Sequence, residues 1–247
     1  MKILITGSAG FIGFHLSKLF LQKGHYVFGV DNLNRYYDVK LKKARNKILL
    51  SFGKYKFKKI NINSTKKVSS IFEKNKIDLV IHLAAQAGVR YSLKNPSLYI
   101  DSNLKGFFNI IDNIKKKKIK NFIYASSSSI YGNSKKSVFK ESDNATSPIQ
   151  LYAATKRSNE LIAHAYSSLY KINSIGLRLF TVYGPWGRPD MSLFLFTKKI
   201  MNNKKIDVFN YGKHLRDFTF IDDVVNGIYL CATKGLSKFK KNHFKIF

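Results

Sequence analysis

At 247 residues the chain is long enough for one sizeable domain, or one domain and a small second one. It is 45% hydrophobic and 14% aromatic, enough for a real core, yet no apolar run reaches the about 18 residues that a membrane helix needs. A net charge of +30 raises nucleic acid as a partner, but 37 of the 44 cations are lysines spread along the chain and guanidinium forks are scarce. The aromatics lie inside apolar segments, so the charge reads as compositional bias, with nonspecific adhesion to polyanions and no specific nucleic-acid site. The single cysteine, Cys231, cannot close an internal disulfide and points to a cytoplasmic setting. The opening "MKILITGSAGFIGFHLSKLF" is interrupted by three glycines and His15 and lacks a cleavage site, so it is not read as a signal peptide.

In chain order, "KILIT", "HYVFGV", "YKFKKINI", "DLVIHLA", "NFIYAS" and "INSIGLRLF" read as strands. Helical patterns near residues 11–23, 39–50, 64–75, 96–118 and 151–171 separate them. Strands alternating with helices predict a doubly wound α/β domain on a parallel sheet, the Rossmann arrangement. "KKKK" at 115–118 reads as a solvated helix end, where cations suit the dipole. After Phe180 the texture changes. A Pro/Gly loop, "TVYGPWGRPD", precedes a helix at about 191–202, a short strand "IDVF", and "RDFTFIDDVVNGIYLCAT", a strand entering a helix with Asp222 or Asp223 near its start. The tail "GLSKFKKNHFKIF" shows no clear element. The division expected is a nucleotide-binding domain over 1–180 and a partial second domain over 181–247.

"ILITGSAGFIG" puts Gly7, Gly10 and Gly13 after the first strand and at the opening of the first helix. Such glycines allow a tight turn, close backbone approach to a pyrophosphate and close helix–sheet packing, with free amides at the helix start to receive phosphates. Asp31 ends the second strand 18 residues after Gly13, where a carboxylate accepts hydrogen bonds from ribose hydroxyls and repels a 2′-phosphate; the cofactor expected is NAD. Arg35, four residues on, pulls toward NADP.

Four Tyr-x-x-x-Lys pairs occur, Tyr36/Lys40, Tyr55/Lys59, Tyr131/Lys135 and Tyr152/Lys156, so the spacing alone selects none. Only Tyr152/Lys156 begins a convincing helix behind a strand that ends in serines, and positions i and i+4 share a helix face. An ammonium about 4 Å from a phenol, at an effective dielectric near 20, supplies the roughly 4 kcal/mol needed to lower its pKa by about 3 units. His82 and His164 fall in element interiors and are expected in the core. No His/Cys/Asp cluster has metal-ligand spacing, so no metal is expected.

With "TGSAGFIG", "DNLN", "HLAAQAGVR", "SSSSIYG" and "YAATK" in order, the chain resembles the extended short-chain dehydrogenase/reductase family of sugar-nucleotide enzymes. "DNLNRYYDVKLKKAR", "AAQAGVRYSLKNP", "LRLFTVYGPWGRPDM" and "RDFTFIDD" narrow the likeness to its UDP-glucuronate 4-epimerases, over residues 1 to about 230. The resemblance implies that Ser127 hydrogen-bonds the reacting hydroxyl, Tyr152 is the base, and Lys156 holds the nicotinamide ribose and supports Tyr152. It implies Ser128, Ser129, Thr181, Arg188 and Arg216 around the UDP-sugar. It adds Phe11, Ile12, Asn32, Asn61, Ile62, Leu83, Ala84 and Ala85 to the cofactor site. It also implies a homodimer through the helices near 96–118 and 151–171, with Ala153, Ala154, Ala163 and Ala165 on the second, and a place in polysaccharide biosynthesis. Three departures stand out. Asn61 occupies the place of an adenine-recognising aspartate, Arg35 often stands as an acid, and similar enzymes run on for several tens of residues beyond a point equivalent to Phe247.

The function the resemblance implies is 4-epimerisation of a UDP-sugar, UDP-glucuronate to UDP-galacturonate, through a 4-keto sugar. A UDP-hexose 4-epimerase, a UDP-glucuronate decarboxylase, and a truncated, non-catalytic nucleotide-binding protein remain alternatives. On the truncated reading, NAD affinity stays near normal while UDP-sugar affinity and turnover fall.

Overall fold

The computed structural model describes residues 1–134, 136, 138–213, 215–239 and 242–247. Among these, nine strands occur: β1 (Lys2–Thr6), β2 (Tyr26–Asp31), β3 (Tyr55–Lys59), β4 (Leu79–His82), β5 (Asn121–Ala125), β6 (Asn173–Leu177), β7 (Thr181–Tyr183), β8 (Phe218–Phe220) and β9 (Phe244–Ile246). Seven form one parallel sheet in the order β3-β2-β1-β4-β5-β6-β9, and β7 pairs with β8 apart from it. β1, β4 and β5 are nearly continuous apolar runs because both faces of a parallel sheet are covered.

The helices are α1 (Phe11–Gln22), α2 (Val39–Leu50), α3 (Thr65–Lys74), α4 (Val89–Lys94), α5 (Pro96–Tyr99), α6 (Gly106–Lys116), α7 (Leu151–Tyr170), α8 (Ser192–Met201) and α9 (Ile221–Leu230). Successive residues of β1 serve opposite layers. Ile3 and Ile5 join a core with Phe14 and Phe20 of α1 and Val224 and Ile228 of α9, whereas Leu4 joins one with Val68, Phe107, Ile110 and Ala163 from α3, α6 and α7. No helix among the described residues is long and apolar enough to cross a membrane.

Four features differ from the sequence reading. The helix expected over 96–118 is divided, with wider π-type turns at Ile100–Lys105 between α5 and α6. "IDVF" is not a strand: residues 204–208 have no regular structure and are mostly exposed. The tail does hold an element, since β9 extends the main sheet by pairing with β6. The stretch 181–247 is therefore divided. Its α9 completes the core on one face of the large sheet and β9 pairs with β6, with Phe244 packed against the core on the other face; residues of β7 and α8 line the cleft at the strand ends.

Candidate active site

A cleft of about 820 Å³ runs along the carboxyl ends of the main strands. The crevice outside the strand ends, where strand order reverses, is where an open α/β sheet takes ligands. At its base Gly7 adopts φ 73°, and a Cβ there would lie 2.8 Å from the Ala84 backbone nitrogen. A Cβ on Gly13 would come within 2.0 Å of the Gly7 carbonyl, so only glycine lets α1 start this close to the turn. The first amides of α1 have no intrahelical partner and suit a phosphate.

Asp31 lines the cleft at the end of β2 and accepts from the Leu33 N–H at 2.8 Å. Burial pushes its carboxyl up, against the N–H groups of Leu33 and Ala9 and the charges of Lys42 and Arg45. Those two cations come from α2, whose inner face is polar: Lys42, Arg45, Asn46 and Leu49 are its buried residues. Lys42 Nζ donates to Asn34 O at 2.8 Å and to Asn34 Oδ1 at 2.5 Å. The turn, the acceptor at Asp31 and the surplus of cations fit a dinucleotide such as NAD.

The serines after β5 stand opposite α7. Ser127 caps a short turn, accepting from Ser129 N at 3.2 Å and Ser129 Oγ at 2.9 Å. Burial raises the pKa of Tyr152, while a hydrogen bond from Ser127 and the charge of Arg188 pull it down. Lys156 donates to Ala125 O at 2.8 Å, and burial lowers its pKa to about 8. Its Nζ lies 6.0 Å from the Tyr152 ring centre, held by the strand-end carbonyl. Asn103 ties α7 to the loop after β4, donating to Thr155 Oγ1 at 3.1 Å and accepting from Gln86 N at 2.7 Å.

Behind this pair lies a buried ion network. Glu160 accepts from Ser126 Oγ at 2.6 Å, from Arg178 Nε and NH2 at 3.0 Å each, and from Arg157 NH1 at 2.8 Å. It fixes α7 against the strand end that carries Ser127.

The opposite wall is the 181–190 segment. Arg188 meets Asp190 through Nε at 3.0 Å and NH2 at 2.5 Å, and Tyr36 Oη donates to the same carboxylate at 3.0 Å. Burial opposes ionisation of Asp190, yet Arg188 outweighs it and holds the carboxyl low.

Gly7, Gly10, Phe11, Ile12, Gly13, Asp31, Asn32, Ile62, Leu83, Ala84, Ala85, Ser127, Ser128, Ser129, Tyr152, Lys156, Thr181 and Arg188 all line this one cleft. Asn61 does not: it is exposed at the rim between Ile60 and Ile62, with Oδ1 accepting from Asn63 N at 3.3 Å. Arg216 is also exposed and outside the cleft, on a segment whose side chains pack on little. Arg35 is exposed and lies outside the cleft lining. Tyr36 does face the cleft, contrary to expectation, but burial and Asp190 push its pKa up to about 12. Tyr55 and Tyr131 are core residues, and Lys135 lies outside the described residues. His82 is buried as expected, whereas His164 is exposed, its ring edge-on to Phe244 at 5.1 Å, because it falls on the outer side of α7.

Sequence reasoning missed Tyr36, Tyr37, Lys42, Arg45 and Asp190. One signal was present. The i, i+3, i+4, i+7 face of α2 carries Lys42, Arg45, Asn46 and Leu49, a mostly polar stripe where α1 and α3 bury mainly apolar residues.

The model of the NAD dependent epimerase/dehydratase family matches residues 3–246. Protein CapI of Staphylococcus aureus is 53% identical over 243 residues, 98% of this chain and 72% of that protein. A Rhizobium meliloti (strain 1021) protein named "Probable UDP-glucuronate 4-epimerase" is 48% identical over 228 residues, 92% of this chain and 67% of the relative. The crystal structure of UDP-glucuronic acid 4-epimerase from Bacillus cereus, in complex with UDP-glucuronic acid and NAD, matches with a TM-score of 0.89 at 34% identity, over 100% of this chain and 76% of that one.

Proposed function

The chain belongs to the NAD dependent epimerase/dehydratase family, and from that membership and the geometry of its cleft we propose that it catalyses 4-epimerisation of a UDP-sugar, UDP-glucuronate to UDP-galacturonate. The observation that carries the reading is the convergence of Ser127, Tyr152, Lys156 and Arg188 on one cleft with the glycine turn.

NAD, when bound, supplies the hydride acceptor and donor that lets C4 be oxidised and then reduced on its other face. Gly7, Gly10 and Gly13 hold its diphosphate and Asp31 its adenosine ribose. Tyr152 takes the proton from the 4-hydroxyl and later returns it, and Ser127 orients that hydroxyl. The Ser127 hydrogen bond and the Arg188 charge favour the phenolate, which a buried base needs. Lys156, buried one turn further along α7 and held by the Ala125 carbonyl, takes the nicotinamide ribose. A sugar carboxylate finds hydroxyl donors in Ser128, Ser129 and Thr181, and Arg188 faces the same cleft with Nε and NH2 engaged by Asp190. Two copies assemble through α6 and α7, where Phe108, Leu161 and Leu169 are exposed. Ala153 and Ala163 are buried in the fold and do not contribute to that face.

Incubating the protein with NAD and UDP-glucuronate and resolving the products by NMR tests the reading. UDP-galacturonate is expected; carbon dioxide release with a UDP-pentose, or turnover of UDP-glucose alone, would replace it.

A further inference from the structure

Arg45 is the largest of the fully buried side chains, at 0% exposure. Its four hydrogen bonds all end on neutral oxygens: NH1 on Ala9 O at 3.2 Å and Tyr37 Oη at 2.9 Å, NH2 on Trp186 O at 2.5 Å and Gly187 O at 3.1 Å. Its buried Nε has no partner among the described residues. A buried cation without a carboxylate on its fork is costly to keep. Here it spans two separate parts of the cleft. Ala9 belongs to the glycine turn, and its N–H holds Asp31. Trp186 and Gly187 belong to the loop that carries Arg188 and Asp190. Trp186 adopts φ 59°, a left-handed backbone that a bulky residue seldom takes. The Arg45 fork grips that residue's carbonyl, and its ring packs on Phe14 at 5.7 Å. The loop therefore takes its shape from the same guanidinium that backs the cofactor turn.

We infer that Arg45 is a positioning residue that couples the glycine turn to the 184–190 loop, so that binding of a dinucleotide and binding of a UDP-sugar reinforce each other. The inference rests on the reading that the cleft takes both ligands. A dinucleotide on the turn fixes Ala9, Ala9 fixes the fork, and the fork holds the loop in the conformation that presents Arg188. The second ligand then meets a loop already ordered, and linkage makes the effect reciprocal. A lysine at this position keeps the charge but cannot bridge both segments, because one ammonium lacks the planar fork.

The test is calorimetric titration of UDP-glucuronate into the Tyr152→Phe protein, which prevents turnover, with and without saturating NAD. With Arg45 in place, NAD should tighten UDP-glucuronate binding about tenfold or more (about 1.4 kcal/mol). With Arg45→Lys the factor should fall to about twofold or less, while NAD affinity changes by less than about threefold. An unchanged coupling factor in Arg45→Lys overturns the inference, even if that variant melts earlier. Should Arg45→Lys fail to fold, Tyr37→Phe carries the test. It removes one acceptor of NH1 and neither backbone contact, and should lower the coupling about threefold; no change overturns the inference. If the Tyr152→Phe protein with Arg45 binds NAD but not UDP-glucuronate, the reading of the cleft fails first and takes this inference with it.

Discussion

Lys156 Nζ donates to the Ala125 carbonyl at 2.8 Å while standing 6.0 Å from the centre of the Tyr152 ring. One helix face carries both groups, but the end of β5 holds the ammonium. Burial acts on the two in opposite directions, raising the phenol and lowering the ammonium to about 8. Ser127 and Arg188 are the groups that favour the Tyr152 phenolate.

Tyr152→Phe keeps the ring and removes the proton acceptor. Epimerase turnover should fall by about 10² to 10⁴, with NAD affinity retained. Tyr131→Phe should leave turnover within a few-fold and lower stability instead, because Tyr131 Oη accepts from Arg178 NH1 at 3.1 Å and donates to Lys140 O at 3.1 Å. Equal losses of turnover in the two variants would show that the wrong tyrosine has been assigned.

Asp31 is the residue proposed to set the choice of cofactor. Asp31→Asn removes the charge that repels a 2′-phosphate, so the preference for NAD over NADP should shrink by about tenfold, or about 1.4 kcal/mol. Competitive calorimetry of both dinucleotides reads it. An unchanged ratio would show that the Asp31 charge does not set the selectivity.

His82 is buried, packs edge-on to Phe107 at 5.4 Å, shares a 2.8 Å hydrogen bond with Thr6 Oγ1, and has its pKa lowered to about 3 by burial and by Lys156. The folded value lies below the unfolded 6.5, so between pH 6.5 and about 3 the unfolded chain holds a proton that the native state lacks. Stability should therefore fall as pH drops through that window, by up to about 1.4 kcal/mol per pH unit. His82→Asn should flatten this acid limb. Urea midpoints at pH 7 and pH 4.5 compare the two proteins, and parallel slopes would rule the histidine out.

Glu160 gathers Arg178, Arg157 and Ser126 in the interior. Removing it leaves the Arg178 guanidinium, 6% exposed, without its counterion. Glu160→Ala should destabilise the fold by about 3 to 5 kcal/mol, and adding Arg178→Met should recover part of that. A loss below about 1 kcal/mol, the range of exposed pairs, would show that water reaches the site.

Leu161 is 56% exposed on α7, and Phe108 of α6 is exposed as well. Light scattering at micromolar concentration should give a dimer, and Leu161→Glu should shift it to monomer. A monomeric parent protein would remove the α6–α7 interface.

The alternation of apolar strands and amphipathic helices made the doubly wound sheet readable in advance, because period and length are local properties. Gly7, Gly13 and Asp31 were readable for the same reason: a strand–turn–helix with glycines has few other uses. β9 was not. "FKI" is three residues long, and only the free edge of β6 turns it into a strand.

What the sequence determined by itself is a set of candidate groups and the elements that carry them: Tyr152 and Lys156 stand out by the helix they begin behind a serine-ended strand, and Ser127 by the family resemblance. What the tertiary structure decided is which charges meet. The sequence gives Arg45 no role, and the family resemblance makes Arg216 a ligand for the UDP-sugar. Packing buries Arg45 between Ala9, Tyr37, Trp186 and Gly187, and leaves Arg216 in the open. The physical reason is that a buried cation's place depends on oxygens supplied by segments more than a hundred residues apart, as Ala9 and Trp186 are, and no local pattern in the chain records that meeting.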